Sequence, residues 1–425
     1  MTSWTSASRT TPSVLRLLIA GLVLGSLAWG AVAAWTVHQH QSAARDVVTA
    51  AEPLGVHAQR MYQSLSDADV TATTAFLSGP DQPLATRQHY QADIASAAAE
   101  LSALEGAGQP LGSSLATVSA GLPVYTSYVA EAQTDSSLGF QLTGGSFMQV
   151  ASEEMHLALL PAARSIEEQA DAALAADAAR ATGLPWVVAA VLLAIVIGIV
   201  LLQLQRWLTR RTHRIFNVGL VIASVALMVG TGWLVVASVS ARSDLQFGDA
   251  NGFVPAQSLS RASIAVQQAR GDEILNLISR SGDASFKQDF DAVRSELGPG
   301  PGTLLTSGAA ASQLGRGAEP ATAAVADARS WYAVNDKVYR LDFAANYADE
   351  TRLVIGTGAG SSARGFQRLE RDLGHAVAAG QATFRFGARA GAHALYGLED
   401  GVVVAALLMA AGCAGGLYRR LAEYR

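Results

Sequence analysis

Two pairs of acidic residues are the best candidates for a ligand or partner site. Asp67 and Asp69 lie in the first long stretch between apolar segments, and Asp272 and Glu273 lie in the second. Carboxylates on a helix can bind a cationic group or face a charged partner, but solvated helix faces carry the same residues. We name these four residues as a ligand or partner face, with solvent-exposed helix positions as the favoured interpretation.

A second candidate site is a short arginine-rich link between two apolar segments. It contains Arg206, Arg210, Arg211 and Arg214. Arginines at such a position fix membrane orientation and contact anionic lipid, at about 1 kcal/mol per charge. The same residues could dock a cytoplasmic protein. We name them as a partner-docking site and keep orientation and lipid contact as the favoured interpretation.

No residue pattern of a known catalytic type is present in the sequence. There is no phosphate-binding P-loop, no Gly-x-Ser-x-Gly and no His-Glu-x-x-His. His38 and His40 could bind a metal, but no further ligand lies near them in the sequence, so a polar tip beside the membrane is favoured. The sequence predicts a protein that is not an enzyme and that binds no cofactor, metal or nucleic acid.

The overall composition indicates a membrane protein. Of the 425 residues, 50% are hydrophobic and 15% are charged, whereas soluble domains carry about 25% charged residues. The single cysteine, Cys413, excludes an intramolecular disulfide. Any folded domain must therefore be held by its own core.

Four apolar stretches are long enough to cross a bilayer, which takes roughly 20 residues. They are residues 14–37, 184–204, 215–239 and 401–417. Arginines concentrate before the first stretch, between the second and third, and after the fourth, so the positive-inside rule places both termini in the cytoplasm. The sequence predicts a multi-pass plasma-membrane protein with residues 38–183 and 240–400 outside. Cleavage of the first span at a signal-peptidase site, residues 31–33, stays open.

Both outer segments have the sequence pattern of helical bundles. Apolar residues recur at three- and four-residue steps, and breaks rich in Gly and Pro separate four such runs in each segment. The order of span, bundle and span is the same in both halves, which indicates a tandem duplication. We expect an all-α membrane protein with two four-helix-bundle domains, arranged like the two chains of a bacterial chemoreceptor dimer. The first outer segment has a net charge of −11 and the second −2, so the first repels a free anion.

The predicted cytoplasmic pieces are all short. They are residues 1–13, 205–214 and 418–425. None of them can bury the core of a domain, so we expect any signal to pass to a separate polypeptide. A transporter is disfavoured because the spans lack the intramembrane charges and broken helices that line a transport path.

Three short segments carry a resemblance to a known family. Residues 27–35, 62–70 and 76–80 read LAWGAVAAW, YQSLSDADV and FLSGP. They resemble the actinobacterial GlnX-type membrane proteins, and the four-span layout is similar over nearly the whole chain. The resemblance implies a transducer between an extracytoplasmic glutamate/aspartate-binding lipoprotein and a soluble Ser/Thr kinase that controls nitrogen and carbon metabolism. It carries over no functional residue.

The leading hypothesis from the sequence is a non-enzymatic transmembrane sensor or transducer. It would pass an extracytoplasmic nutrient signal, an amino acid by the resemblance, to a separate cytoplasmic protein such as a Ser/Thr kinase. Its partners would be the lipid bilayer and, by the resemblance, a solute-binding lipoprotein and that kinase. The alternative is a structural or scaffold protein of the cell envelope that does not switch.

Overall fold

The chain is helical over most of the residues that its structure describes. The computed structural model describes residues 11–79, 84–107, 112–183, 185–212, 217–279, 284–298, 300, 302–312, 317–356 and 358–422. Within these ranges no residue lies in a β-strand. The prediction of an all-α protein is confirmed.

The α-helices of the described ranges are numbered in chain order. They are α1 (Thr11–Asp46), α2 (Glu52–Ser78), α3 (Leu84–Gly106), α4 (Gly112–Ser137), α5 (Gln141–Glu154), α6 (Leu160–Thr182), α7 (Pro185–Thr212), α8 (Val218–Gly248), α9 (Val254–Ser279), α10 (Ala284–Leu297), α11 (Leu304–Ala311), α12 (Ala318–Phe343), α13 (Tyr347–Ile355), α14 (Ser362–Ala394) and α15 (Leu398–Ala422). Short π-helical turns join α1 to α2 (Val47–Ala51), α5 to α6 (Met155–Leu159) and α8 to α9 (Asp249–Phe253).

The chain divides into two compact units. The span unit comprises Met1–Asp46, Asp177–Leu245 and Ala388–Arg425. The bundle unit comprises Val47–Ala176 and Gln246–Gly387. Within the bundle unit we refer to Val47–Ala176 as the first lobe and to Gln246–Gly387 as the second lobe.

The span unit has the surface of a protein that sits in lipid. In the described chain, four helical stretches are long and apolar enough to cross a membrane, and they contain α8 and most of α1, α7 and α15. Large apolar side chains face outward from this unit, including Leu192, which is 57% exposed, and Met228, which is 75% exposed. Such a surface is unfavourable in water and suits the hydrocarbon of a bilayer. These features support the predicted membrane protein with four spanning helices.

Small residues let two of the spanning helices approach closely. A Cβ at Gly219 of α8 would lie 2.5 Å from the Gly412 carbonyl oxygen of α15. The Asn217 side-chain amide, just before α8, donates a hydrogen bond of 2.8 Å to the Gly416 carbonyl oxygen. In lipid, where burial of apolar surface gives no driving force, close packing and interhelical hydrogen bonds hold helices together.

Each lobe of the bundle unit has its own apolar core. In the first lobe, α2 packs mainly with α3, and α4 mainly with α5, around buried side chains that include Met61, Leu65 and Met148. In the second lobe, Phe290, Trp331 and their neighbours form the core. The aromatic rings of these two residues meet edge to face, with centroids 5.6 Å apart.

The second lobe contains two short helices that the sequence pattern did not predict. α11 follows a Gly-rich run in which Gly298 and Gly302 adopt φ angles of 103° and 81°, values that favour glycine. α13 begins after Asn346, whose side chain accepts a hydrogen bond from the Asp349 backbone N–H. Both helices are too short to produce a readable apolar period, which explains why the sequence reading found four runs only.

We predict that the contact between α8 and α15 tolerates no side chain at Gly412. Gly412→Val should lower the free energy of unfolding by about 1–3 kcal/mol, because a Cβ there would meet the Gly219 carbonyl oxygen at 2.6 Å. Gly415→Val is the matched control on the same helix, since nothing lies within 4 Å of a Cβ at that position. Thermal unfolding in detergent measures both, and equal stability of the two variants would contradict the described packing.

Candidate functional site

The four acidic residues singled out from the sequence lie on α2 and α9, which pack against each other inside the bundle unit. Asp69 is 3% exposed and Glu273 is 2% exposed. The favoured interpretation, a solvated helix face, is therefore wrong for these two residues. Asp67 and Asp272 are partly buried beside them.

Asp69 is the centre of a polar group inside the first lobe. The Ser152 hydroxyl of α5 donates a hydrogen bond to the Asp69 carboxylate at 3.2 Å. The Nε2 atom of His156, in the π-helical turn after α5, lies 3.2 Å from Asp69 Oδ2. The Tyr125 side chain of α4 is fully buried beside Asp69, and burial together with the Asp69 charge raises the pKa of Tyr125. Three helices of the first lobe thus converge on one carboxylate.

His156 connects this group to the second lobe. Burial disfavours the charged imidazole, but the hydrogen bond and charge of Asp69 and the charge of Asp272 outweigh it and raise the pKa of His156. Burial raises the pKa of Asp272 to about 7, against the opposing effect of His156. Gly271 permits this approach, since a Cβ there would lie 3.3 Å from the His156 ring. The imidazole lies between carboxylates from both lobes.

Glu273 belongs to a second buried group, which lies within the second lobe. Its carboxylate forms an ion pair with Arg270 on the same helix. It also accepts hydrogen bonds from the Asn335 amide of α12 at 2.9 Å and from the Ser362 hydroxyl of α14 at 2.7 Å. Ser362 in turn accepts a hydrogen bond of 2.7 Å from the Trp331 indole. The sequence analysis did not name the partners of Glu273.

Asp67 meets a carboxyl group from the other lobe. Glu370 of α14 lies close to it, because one amide group reaches both side chains. The side-chain amide of Gln267 on α9 donates to Asp67 Oδ1 and to Glu370 Oε1, at 3.1 Å in each case. Burial raises the pKa of Asp67 well above its usual range, and the neighbouring Glu370 raises it further. This acid pair joins α2 of the first lobe to α14 of the second.

Other contacts between the lobes are polar as well. The Ser260 hydroxyl of α9 donates to Glu167 of α6 at 3.0 Å, and burial raises the pKa of Glu167 to about 7. One turn away, the Gln257 amide donates to Asp171 at 2.7 Å. The lobes therefore meet through carboxyl, hydroxyl and amide groups as well as through apolar contacts, such as that of Ile264 of α9 with the core of the first lobe.

The chemistry that these groups permit is proton binding and hydrogen bonding. Throughout the described part of the chain, no group of three or more His, Cys, Asp or Glu side chains could hold a metal ion. His38, one of the two histidines considered for a metal, lies 3.6 Å from Glu399. His40 is buried.

The arginine-rich link is described only in part. Arg206 lies on α7 and is exposed. Arg210 and Arg211 lie on the last turns of the same helix, and Arg214 lies outside the described residues. Close to the link, the Gln205 amide donates a hydrogen bond of 3.1 Å to the Ser224 hydroxyl of α8. That bond ties α7 to α8 beside the arginines.

The sequence analysis missed several residues of these buried groups. They are Ser152, His156, Gln267, Arg270, Asn335, Ser362 and Glu370. One signal was present in the sequence: Gln267 and Arg270 interrupt a run of apolar residues on α9. Because α9 is buried on nearly all sides, its polar residues cannot be assigned to a solvated face by periodicity.

A comparison with protein families finds a match to the first lobe. Residues 43–179 match the family model described as an actinobacterial sensor domain. The match covers the whole first lobe and a few residues on either side of it. It supports a sensing role and an actinobacterial protein. Neither a curated protein nor a solved structure matches the chain.

We predict that the second-lobe group depends on its ion pair. Arg270→Met should lower the free energy of unfolding by about 3–5 kcal/mol, because it leaves the Glu273 carboxylate buried without its cation. Adding Glu273→Gln should restore at least half of the loss, since a neutral amide keeps hydrogen bonds to Asn335 and Ser362.

The matched control for this prediction is Arg352→Met. Arg352 forms an exposed ion pair with Asp349 at 2.8 Å, so its loss should change stability by less than about 0.5 kcal/mol. Denaturant unfolding of the full chain in detergent measures all variants. An Arg270→Met variant as stable as Arg352→Met would contradict the buried network.

Proposed function

We propose that this chain is a non-enzymatic transmembrane sensor whose bundle unit receives an extracytoplasmic signal and whose spanning helices pass it to a separate cytoplasmic protein. The observation that carries the proposal is the sensor-domain match of the first lobe. The polar groups that the first lobe shares with the second support it further. A signal that changes the first lobe would change hydrogen bonds to the second, such as that between Glu167 and Ser260.

The way the helices follow one another supports a mechanical link to the spans. α1 leads into α2, and α8 into α9, through a π-helical turn with no intervening loop. Each turn is followed two residues later by a proline, Pro53 in the first lobe and Pro255 in the second. π-Helical turns often mark functional positions in helices. Their repetition supports the proposed tandem duplication.

Packing in the span unit supports the arrangement like a receptor dimer. Spans one and three, which correspond in the two halves, approach each other where a Cβ at Gly230 of α8 would lie 2.9 Å from the Trp29 ring of α1. Corresponding first spans also meet in a two-chain receptor of the proposed type. In this protein a single chain would supply both of the corresponding spans.

Two surfaces are the proposed partner sites. Outside the membrane, Leu142 at the start of α5 is 91% exposed, and Phe343 at the end of α12 is 96% exposed. With the acidic first outer segment, they would suit a partner with an apolar patch and a basic rim, as the implied lipoprotein would need. Inside, Arg206 and the arginines after it would dock the cytoplasmic partner, for which the resemblance implies a Ser/Thr kinase.

We predict that the bundle unit lies outside the cell and the arginine-rich link inside. In a Cys413→Ala background, Ala99→Cys on the exposed face of α3 should react with a membrane-impermeant maleimide in intact cells. Thr209→Cys on α7 should react only after the cells are opened. The reverse pattern would overturn the proposed orientation and the sensor with it.

We predict that the arginines bind the cytoplasmic partner through their guanidinium groups. Replacing Arg206, Arg210, Arg211 and Arg214 together by Lys keeps the charge that orients the spans but removes bidentate hydrogen bonding. The Lys variant should keep its orientation in the maleimide assay and recover at least about tenfold less partner from detergent extracts, a loss of about 1.4 kcal/mol in binding.

The matched control for the Lys variant is the native chain, captured in parallel and quantified by mass spectrometry. Capture of the same kinase or binding protein by both chains would reject the docking role of the guanidinium groups. If the native chain captures neither kind of partner, the scaffold alternative gains support.

A further inference from the structure

The contact between the two lobes brings together a pair of carboxyl groups that one proton would stabilise. The side-chain amide nitrogen of Gln267 is 3.1 Å from a carboxylate oxygen of Asp67 on α2 and 3.1 Å from one of Glu370 on α14. A carboxylate has no proton to donate, so a hydrogen bond between two carboxyl groups requires that one of them is protonated. Two ionised carboxylates at this separation would repel each other.

Among the described residues, the charged neighbours that most affect Asp67 are acidic and supply no cation in place of the proton. Gln267 of α9 donates its amide hydrogens to both carboxyl groups, at 3.1 Å each, which suits either charge state. From α3, Asp93 adds a further negative charge to the site of Asp67. Asp93 itself is 3.8 Å from His89. Among the described residues, the charged groups that act on Asp67 are the carboxylates of Glu370 and Asp93.

The pair bridges the lobes rather than lying within one of them. Asp67 and Asp93 belong to the first lobe, and Gln267 and Glu370 belong to the second. Loss of the proton would therefore place repulsion across the contact between lobes, without a direct effect on either apolar core. Polar links such as Gln257 with Asp171 join the lobes elsewhere, together with apolar contacts such as that of Ile264 with the core of the first lobe.

We propose that the proton shared by Asp67 and Glu370 holds the two lobes together, so that the proton is itself a ligand of the bundle unit. One proton bound favours the close arrangement, and its release as the pH rises favours a looser one. This inference deepens the proposed function, since it names one stimulus to which the sensor would respond. It concerns the bundle unit alone and does not require a partner protein.

The direction of the pH dependence follows from the burial of the pair. Burial and the neighbouring carboxylates hold the pKa of Asp67 well above its usual range in the folded chain. The folded chain therefore binds this proton at pH values where the unfolded chain has released it. Stability is highest at low pH and falls as the pH rises through the folded-state pKa.

The test measures the distance between the lobes at several pH values. In a Cys413→Ala background, spin labels are placed at Ala99→Cys of α3 and Ala333→Cys of α12, both exposed positions. The full chain in lipid nanodiscs should show a short-distance population at pH 5 that gives way to longer distances by pH 8. For one proton, the ratio of the two populations changes by up to about tenfold per pH unit.

Two isosteric variants make the test specific. Glu370→Gln places an amide that donates to the Asp67 carboxylate without a titrating proton, so the short distance should persist from pH 5 to pH 8. Asp67→Asn should also keep the short distance from pH 5 to pH 8, because its amide can donate to the Glu370 carboxylate. This variant replaces Glu370→Gln if Glu370→Gln fails to fold. Glu319→Gln, at an exposed carboxylate of α12, is the control and should keep the native response.

The outcomes separate this inference from the proposed function. A native chain whose distances do not change between pH 5 and pH 8, or Gln and Asn variants that keep the native pH response, would overturn the shared proton. That result would not change the conclusions drawn from the maleimide and capture experiments. Conversely, an inverted orientation would remove the proposed sensor but leave the distance change in place.

Discussion

The structure of the bundle unit depends on how ionisable groups buried on two central helices find partners. α2 and α9 carry Asp67, Asp69 and Glu273 away from water, which is costly unless each is hydrogen-bonded or neutralised. None of the three is satisfied by its own helix alone: Asp69 depends on α5, Glu273 on α12 and α14, and Asp67 on the other lobe. The surrounding helices are therefore held in place by polar contacts as well as by apolar packing.

The distribution of polar and apolar contacts separates what is rigid from what can move. Within each lobe, buried apolar side chains interlock, and such cores resist displacement. Between the lobes, hydrogen bonds such as that of Gln381 with Gln59 at 2.8 Å lie beside a smaller number of apolar contacts. Amide and hydroxyl groups can exchange partners or water at little cost. A contact that must adopt two arrangements forms more readily between polar surfaces of this kind than within a packed apolar core.

The two lobes differ in the chemistry of their centres. The first lobe holds Asp69 with His156, whose pKa, against the effect of burial, is raised above its usual value by the neighbouring carboxylates. The second holds Glu273 with Arg270, whose guanidinium stays charged at any physiological pH. The sensor-domain match lies on the first lobe.

The sequence by itself determined the helical class and the four membrane spans, because length and continuous apolar character decide both. It also located Asp67, Asp69, Asp272 and Glu273, but it assigned them to a solvated surface. Only the tertiary structure decided their burial, since that depends on α2 and α9 packing together with residues hundreds of positions apart. Periodicity describes one face of one helix, whereas a helix enclosed on nearly all sides, such as α9, takes its environment from its neighbours.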